Sequence, residues 1–143
     1  MLDRLSLSSF QKIGGMQMTN IKPKLLIVED EVYSQIYYSN VLEADYDLFI
    51  APTVSEAKKA LRDTKFKLAI VDLSLPGGED GLSLIRYLCL MHPEITASIV
   101  ISAHAYPKNR EDALAAGAAE FITKPIMADA LLGVVQKYIQ DNP

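Results

Sequence analysis

The sequence has one cysteine, no surplus of basic residues and no apolar run approaching the ~20 residues a membrane helix needs. Each shortage removes a class of protein. Cys89, in the run Leu88-Cys89-Leu90, has no intrachain partner, so no internal disulfide forms and a reducing, cytoplasmic setting is expected. Lys and Arg number 14 against 18 Asp and Glu, a net charge of −4, whereas binding to a nucleic-acid backbone calls for a basic surface. Neither direct nucleic-acid binding nor membrane insertion is expected. The N-terminus also lacks the continuous apolar core of a secretory signal.

What is present is enough apolar material for one core: 143 residues, 50% of them hydrophobic, the size of one domain. The first 23 residues differ from the rest. They hold Arg4, Lys12 and Lys22 against Asp3, and this segment is expected to be a flexible or non-native extension preceding a domain at 24–143. Leu2, Leu5, Phe10 and Ile13 stand at roughly helical spacing, but Ser8-Ser9 and Gly14-Gly15 interrupt any long helix. Met16 and Met18 offer alternative starts.

From Lys24 onward short apolar runs alternate with longer amphipathic ones, the signature of a repeated strand-helix unit. Five strands are expected, at Lys24 to Val28, Asp47 to Ala51, Lys67 to Val71, Ala97 to Ile101 and Glu120 to Thr123. Four are almost wholly apolar, as suits parallel strands covered on both faces. The intervening stripes read Val32, Tyr33, Ile36, Tyr37 and Val41, then Leu82, Ile85, Leu88 and Cys89, and finally Ile126, Ala130, Leu131, Val134, Val135, Tyr138 and Ile139. Thr53 and Glu56 have capping-box spacing before the second helix, and Gly117 stops a fourth helix around Lys108 to Ala116. Five right-handed units of this kind build an α/β fold, a doubly wound five-stranded parallel sheet with five helices.

In such a sheet ligands bind beyond the carboxyl ends of the strands. There the first strand ends in Glu29-Asp30-Glu31, the third in Asp72, the fourth in Ser102-Ala103 and the fifth in Lys124-Pro125. Singly these are ordinary: a helix start, a turn, a cap, an exposed charge. Together they are not, because carboxylates gathered at one edge repel one another by about 3 kcal/mol per pair at ~5 Å and an effective dielectric of ~20. Positive charge must offset that. Carboxylate oxygens with room for water suit Mg²⁺, and Lys124 supplies a second cation. A carboxylate so placed can attack an electrophilic phosphorus, and the two positive charges can stabilise the transferring phosphoryl group.

These segments resemble the receiver domains of two-component response regulators, the CheY-like family. Leu25-Leu26-Ile27-Val28-Glu29-Asp30-Glu31 is similar to the family's first strand and acidic pair, and Ala69-Ile70-Val71-Asp72-Leu73-Ser74-Leu75-Pro76-Gly77 to its phosphorylation segment. Ile99-Val100-Ile101-Ser102-Ala103 and Gly117-Ala118-Ala119-Glu120-Phe121-Ile122-Thr123-Lys124-Pro125 complete the likeness, which spans Lys24 to Gln140. The resemblance implies a flavodoxin-like strand order, 2-1-3-4-5. It makes Asp72 the acceptor of phosphate from a histidine kinase or phosphotransfer protein. It makes Asp30 a direct Mg²⁺ ligand, with Glu29, Asp72 and the backbone carbonyl of Ser74 completing the metal site. Lys124 becomes the phosphate-binding lysine, Ser102 the switch hydroxyl beside the Ala103 backbone, and Phe121 the switch aromatic. Ser74 and His104 would flank the path of the attacking water and tune dephosphorylation.

Two departures stand out. Gly77-Gly78-Glu79-Asp80-Gly81 is one residue longer than is usual in the family, and the acidic pair is Glu-Asp where many members have Asp-Asp. Other readings fit less well. A haloacid-dehalogenase-like phosphatase would need a second Asp where Ser74 stands, and a flavodoxin-like nucleotide binder would need a phosphate-cradling loop where Glu29-Asp30-Glu31 stands. The remaining alternative is a pseudo-receiver, an interaction scaffold that works without phosphorylation. The expected output is a contact with a downstream protein through the fourth helix, fifth strand and fifth helix. The fifth helix has too few charges for the ion-pair pattern of a DNA-binding dimer, so a monomer or weak dimer is expected, standing alone or as part of a longer protein.

Overall fold

A computed structural model describes residues 10–13, 16–19, 21–75, 80–103 and 106–140. The strands are β1 (Phe10–Ile13), β2 (Met16–Thr19), β3 (Lys24–Val28), β4 (Asp47–Ala51), β5 (Leu68–Val71), β6 (Ala97–Ser102) and β7 (Glu120–Thr123). The helices are α1 (Val32–Leu42), α2 (Val54–Asp63), α3 (Gly81–Met91), α4 (Pro107–Ala116) and α5 (Ala128–Gln140). Strands β3 to β7 form one parallel sheet in the order β4-β3-β5-β6-β7. Counted from β3 this is the anticipated 2-1-3-4-5, so the carboxyl ends of β3 and β5 are neighbours.

Burial follows the period-two geometry of strands. Leu26 and Val28 of β3 face a core shared with Val54, Ala57 and Leu61 of α2, Leu84, Ile85 and Leu88 of α3, and Ala113 and Ala116 of α4. Leu25 and Ile27 face the opposite core, with Tyr38 and Leu42 of α1 and Leu131 and Val135 of α5. Each fully buried Leu or Ile contributes about 2 kcal/mol. The three inner strands are covered on both faces, whereas the edge strands β4 and β7 are mostly accessible, with Ala51 and Phe121 their buried residues.

The ends of the helices agree with their local chemistry. The Thr53 hydroxyl accepts a 3.0 Å bond from the Glu56 amide at the start of α2, as the capping spacing anticipated. Asp80 accepts from the Ser83 amide at 2.8 Å ahead of α3, and Gly117 ends α4 at φ 119°, where glycine alone escapes strain.

Four expectations need correction. On α1, Val32, Tyr33 and Ile36 are exposed, and Tyr38 and Leu42 carry the buried face instead. Apolar residues ring most of this helix, so spacing alone does not select a face. On α3, Leu84 is buried and Cys89 is exposed; on α5, Ala130 is exposed. Finally, β1 and β2 pair antiparallel as a separate two-stranded sheet, with Phe10 opposite Thr19 and Ile13 opposite Met16. The helical spacing noted for Phe10 and Ile13 therefore does not describe them. Gly14-Gly15 separates the two segments in sequence, a two-residue spacing that favours hairpins. Among the described residues no helix is long and apolar enough to cross a membrane.

Candidate functional site

Four strand ends converge because β3, β5, β6 and β7 are contiguous in the sheet. Glu29, one residue past β3, is 1% exposed. Its backbone amide donates to the Ala51 carbonyl at 2.9 Å, and its carbonyl accepts from Gln35 Nε2 at 2.7 Å. Its carboxylate takes the Glu31 amide on Oε2 at 3.1 Å and Lys124 Nζ on Oε1 at 2.8 Å. Lys124, one residue past β7, also donates to Asp72 Oδ2 at 3.1 Å and to Ser34 Oγ at 3.1 Å. The ammonium therefore has three oxygen partners, and two of them are carboxylates.

Asp72, past the end of β5, is 8% exposed. Its Oδ1 accepts from the Ser102 hydroxyl and from the Ser74 amide, each at 3.0 Å. Ser102 closes β6 and is fully buried. Phe121 pairs with Val100 across β6 and β7 and is buried in the core, while its carbonyl accepts from Arg110 Nη1 at 3.3 Å. The backbone also approaches closely: a Cβ on Gly81, the first residue of α3, would overlap the Asp72 carbonyl oxygen.

The electrostatics follow from burial and from the shared lysine. Burial pushes the Glu29 carboxyl above the ordinary carboxylate range, with the Lys124 hydrogen bond opposing it. Burial alone would pull the Lys124 ammonium down, but the hydrogen bond to Glu29 and the charges of Asp72 and Glu29 push it up. Glu31 is lowered because it caps α1, accepting from the Ser34 and Tyr33 amides. Burial, helped by the charges of Glu29 and Asp72, raises the Tyr38 phenol, which stays protonated at neutral pH.

Comparison with known proteins decides the family. Residues 25–136 match the family model for the response regulator receiver domain. The chain belongs to that family. Among relatives, the receiver is 34% identical over 106 residues to the response regulator protein PilR of Pseudomonas aeruginosa, covering 73% of this chain and 23% of that protein. It is 33% identical over 104 residues to the aerobic respiration control protein ArcA of Escherichia coli K12, covering 72% and 42%. It thus spans less than half the length of these curated relatives. Among solved structures, a CheY-like receiver domain protein from Methanospirillum hungatei superposes at TM-score 0.79 with 26% identity, covering 85% of this chain and 96% of that one. A response regulator from Thermotoga maritima gives 0.76 with 30% identity, covering 84% and 99%.

Of the residues singled out from sequence, Glu29, Asp72, Ser102 and Lys124 meet at one point of this receiver. Asp30 is exposed beside them, and Ser74 contributes its amide to Asp72. Ala103 follows Ser102 at the same edge. His104 and the loop residues Pro76 to Glu79 lie outside the described residues. Among the described residues no three His, Cys, Asp or Glu side chains converge as a ready metal cluster, and the Lys124 ammonium pairs with both Glu29 and Asp72. The donor chemistry nonetheless fits Mg²⁺, which prefers one or two carboxylates and keeps several waters. Asp30 and Asp72 supply two such hard oxygens at one strand edge.

Sequence reading missed Ser34, Gln35 and Tyr38. Ser34 lies in the first turn of α1, directly after the acidic run that ends β3, so a helix starting at Val32 was signal enough to place it at the same edge. Tyr38 was hidden by the misread face of α1.

Proposed function

We propose that this receiver takes a phosphoryl group on Asp72 from a phosphohistidine of a histidine kinase or phosphotransfer protein and later loses it to water. The observation that carries this reading is the Asp72 carboxylate, nearly buried and held between Lys124 Nζ on one oxygen and the Ser102 hydroxyl on the other. An Asp72 oxygen attacks the phosphorus as the N–P bond breaks, and the imidazole leaves with that electron pair. Lys124 holds the carboxylate in place and faces the charge that builds on the equatorial oxygens. Asp30, Asp72 and the Ser74 carbonyl, with Glu29 nearby, would hold Mg²⁺, and the ion would supply further charge neutralisation there. Ser102 and the Ala103 amide are suited to phosphoryl oxygens. Water attack then releases inorganic phosphate and restores the carboxylate, with Ser74 and His104 tuning its rate.

A protein donor is favoured by the surface around the site. Val32, Tyr33 and Ile36 of α1 and Met127 before α5 are exposed apolar residues on elements that adjoin Lys124, and such patches mark contact surfaces. Output passes to a downstream protein through α4, β7 and α5. Acetyl phosphate with Mg²⁺ tests the chemistry: one phosphoryl group should appear by intact mass and none on Asp72→Asn. Equal labelling of that variant would make the chain a pseudo-receiver at this site.

A further inference from the structure

Among the described residues the buried polar and charged side chains are Glu29, Asp72, Ser102 and Ser98. The first three meet at the phosphoacceptor edge. Ser98 lies near the other end of β6 and is 5% exposed, and among the described residues its hydroxyl makes no hydrogen bond. Buried polar groups are seldom left so, because their desolvation then goes uncompensated.

The direction of this hydroxyl follows from strand alternation. Ala97, Ile99 and Ile101 face the core shared with α1 and α5, whereas Val100, two residues on from Ser98, faces the core shared with α3 and α4. Ser98 therefore points toward α3 and α4. On that side lies a cavity of about 80 Å³ lined by Leu88, Cys89, Ile95, Thr96, Ser98 and Gly117. A serine hydroxyl is one bond beyond Cβ, so it cannot turn far from the space its own face borders. The Thr96 hydroxyl is engaged, donating to the Lys67 carbonyl at 3.1 Å. Cys89 brings the reactive group. Its thiol is exposed, with Sγ 3.7 Å from the Gly117 carbonyl oxygen, so an accessible thiol and an unsatisfied hydroxyl border one small space.

Size and polarity select what the thiol can take up. The cavity is well below the ~300–1,000 Å³ of sites for small organic ligands, so an adduct of one or two heavy atoms stays within reach of Ser98 and a bulkier one projects into solvent. A sulfenic acid adds a single oxygen, which both accepts from and donates to a hydroxyl. Cys89 is also the only cysteine of the chain, so no second thiol of the same molecule condenses with that product.

We propose that Cys89 is a site of reversible oxidation to a sulfenic acid by a hydroperoxide, the added oxygen seated in this cavity against the Ser98 hydroxyl. A sulfur electron pair forms the S–O bond as the peroxide O–O bond breaks. Sulfur is oxidised by two electrons, and the leaving oxygen takes up the thiol proton and departs as water or an alcohol. A small thiol in excess reverses the change, restoring Cys89 with release of water and ending as its own disulfide. The cavity acts on the product, which it shields and pairs.

The test treats the full chain with hydrogen peroxide and traps the product with dimedone, which labels sulfenic acid and not methionine sulfoxide, reading the adduct by peptide mass. Dimedone should label Cys89 in the parent and nothing at that position in Cys89→Ser. When dimedone is added after a delay, labelling of Ser98→Ala should decay about fivefold faster than that of the parent, as loss of one hydrogen bond implies. Dithiothreitol before dimedone should abolish labelling in both. No adduct on Cys89 would overturn the site, and so would equal decay in the parent and Ser98→Ala, which would leave only an exposed thiol beside a water-filled cavity.

Discussion

Lys124 and Asp72 are 52 residues apart in sequence, yet Nζ and Oδ2 are 3.1 Å apart. The same nitrogen is 2.8 Å from Glu29 Oε1. One ammonium therefore separates two carboxylates that the sheet topology forces together, and this arrangement governs both the stability and the chemistry of the edge.

Removing that ammonium should cost stability in a pH-dependent way. Lys124→Ala leaves Glu29, at 1% exposure, without its cation, at an expected cost of about 2–3 kcal/mol near neutral pH. The sign follows from the direction of the Glu29 shift. Its folded pKa is raised by burial, so its contribution is complete below the ordinary carboxylate value and is lost as pH rises through the folded value. Without Lys124 that value rises further. Urea unfolding of chelator-treated protein should show the variant's deficit growing from acid to neutral pH, and a deficit that shrinks over that range would contradict the ion-pair account.

Metal binding should depend on Asp30. The residue is exposed at the edge, free of the burial that engages Glu29, and offers a hard oxygen. Asp30→Ala should remove most Mg²⁺ binding by titration calorimetry and, with it, labelling by acetyl phosphate. A titration indistinguishable from that of the parent would place the ion elsewhere.

Gly81 holds the start of α3 against the phosphoacceptor strand. An added Cβ would overlap the Asp72 carbonyl oxygen and come within 2.9 Å of Leu73 Cα, both of them backbone that cannot swing away. Gly81→Ala should therefore cost about 1–3 kcal/mol and slow Asp72 labelling. Unchanged unfolding and unchanged labelling together would show that the helix start shifts freely.

How much of this was legible in the sequence depended on the interaction that set each feature. Strand positions were readable because continuous apolar runs such as Leu25 to Val28 admit few other folds; Asp72 and Ser102 were readable because each directly follows such a run, and Lys124 because it follows the short strand Glu120 to Thr123 ahead of Pro125. Their topology then brought them together. The buried face of α1 was not readable. Val32, Tyr33, Ile36, Tyr37, Tyr38, Val41 and Leu42 surround the helix, and packing on β3, a tertiary fact, selects Tyr38 and Leu42 as the inward residues. The misreading of Cys89 has a similar cause. Leu88 fills the core, and the thiol lies instead beside Gly117, with Sγ 3.7 Å from its carbonyl oxygen.

That last contact gives a double-mutant test. Gly117 has φ 119°, and a Cβ there would overlap Cys89 Sγ. Gly117→Ala should cost about 2 kcal/mol, from backbone strain and from the clash. Adding Cys89→Ala should recover the clash component and leave the strain, so the two substitutions should be non-additive in urea unfolding. Strict additivity would mean that the thiol moves aside without cost.

The switch proposed for Ser102 and Phe121 yields the last expectation. The Ser102 hydroxyl is 3.0 Å from Asp72 Oδ1, and Phe121 is 8% exposed. On the proposed reading these are the inward positions that a phosphoryl group would favour, and phosphorylation should deepen that arrangement. A full reversal of populations from 1:99 to 99:1 would need about 5.5 kcal/mol of differential stabilisation, whereas a hydroxyl's bond to a charged group contributes about 1.5–3 kcal/mol in all, and Ser102 exchanges one charged acceptor for another. Partial output from the unphosphorylated protein is the consequence. Beryllofluoride, standing for the phosphoryl group, should shift amides from Tyr106 through Ile126 in the parent. In Ser102→Ala the shifts should stop near Lys124, because the link from the phosphoacceptor to β7 and α4 is cut. Shifts that reach α4 equally in both proteins would show that the signal bypasses Ser102, and a tight dimer formed through α5 on beryllofluoride addition would replace the separate downstream partner with a second copy of the chain.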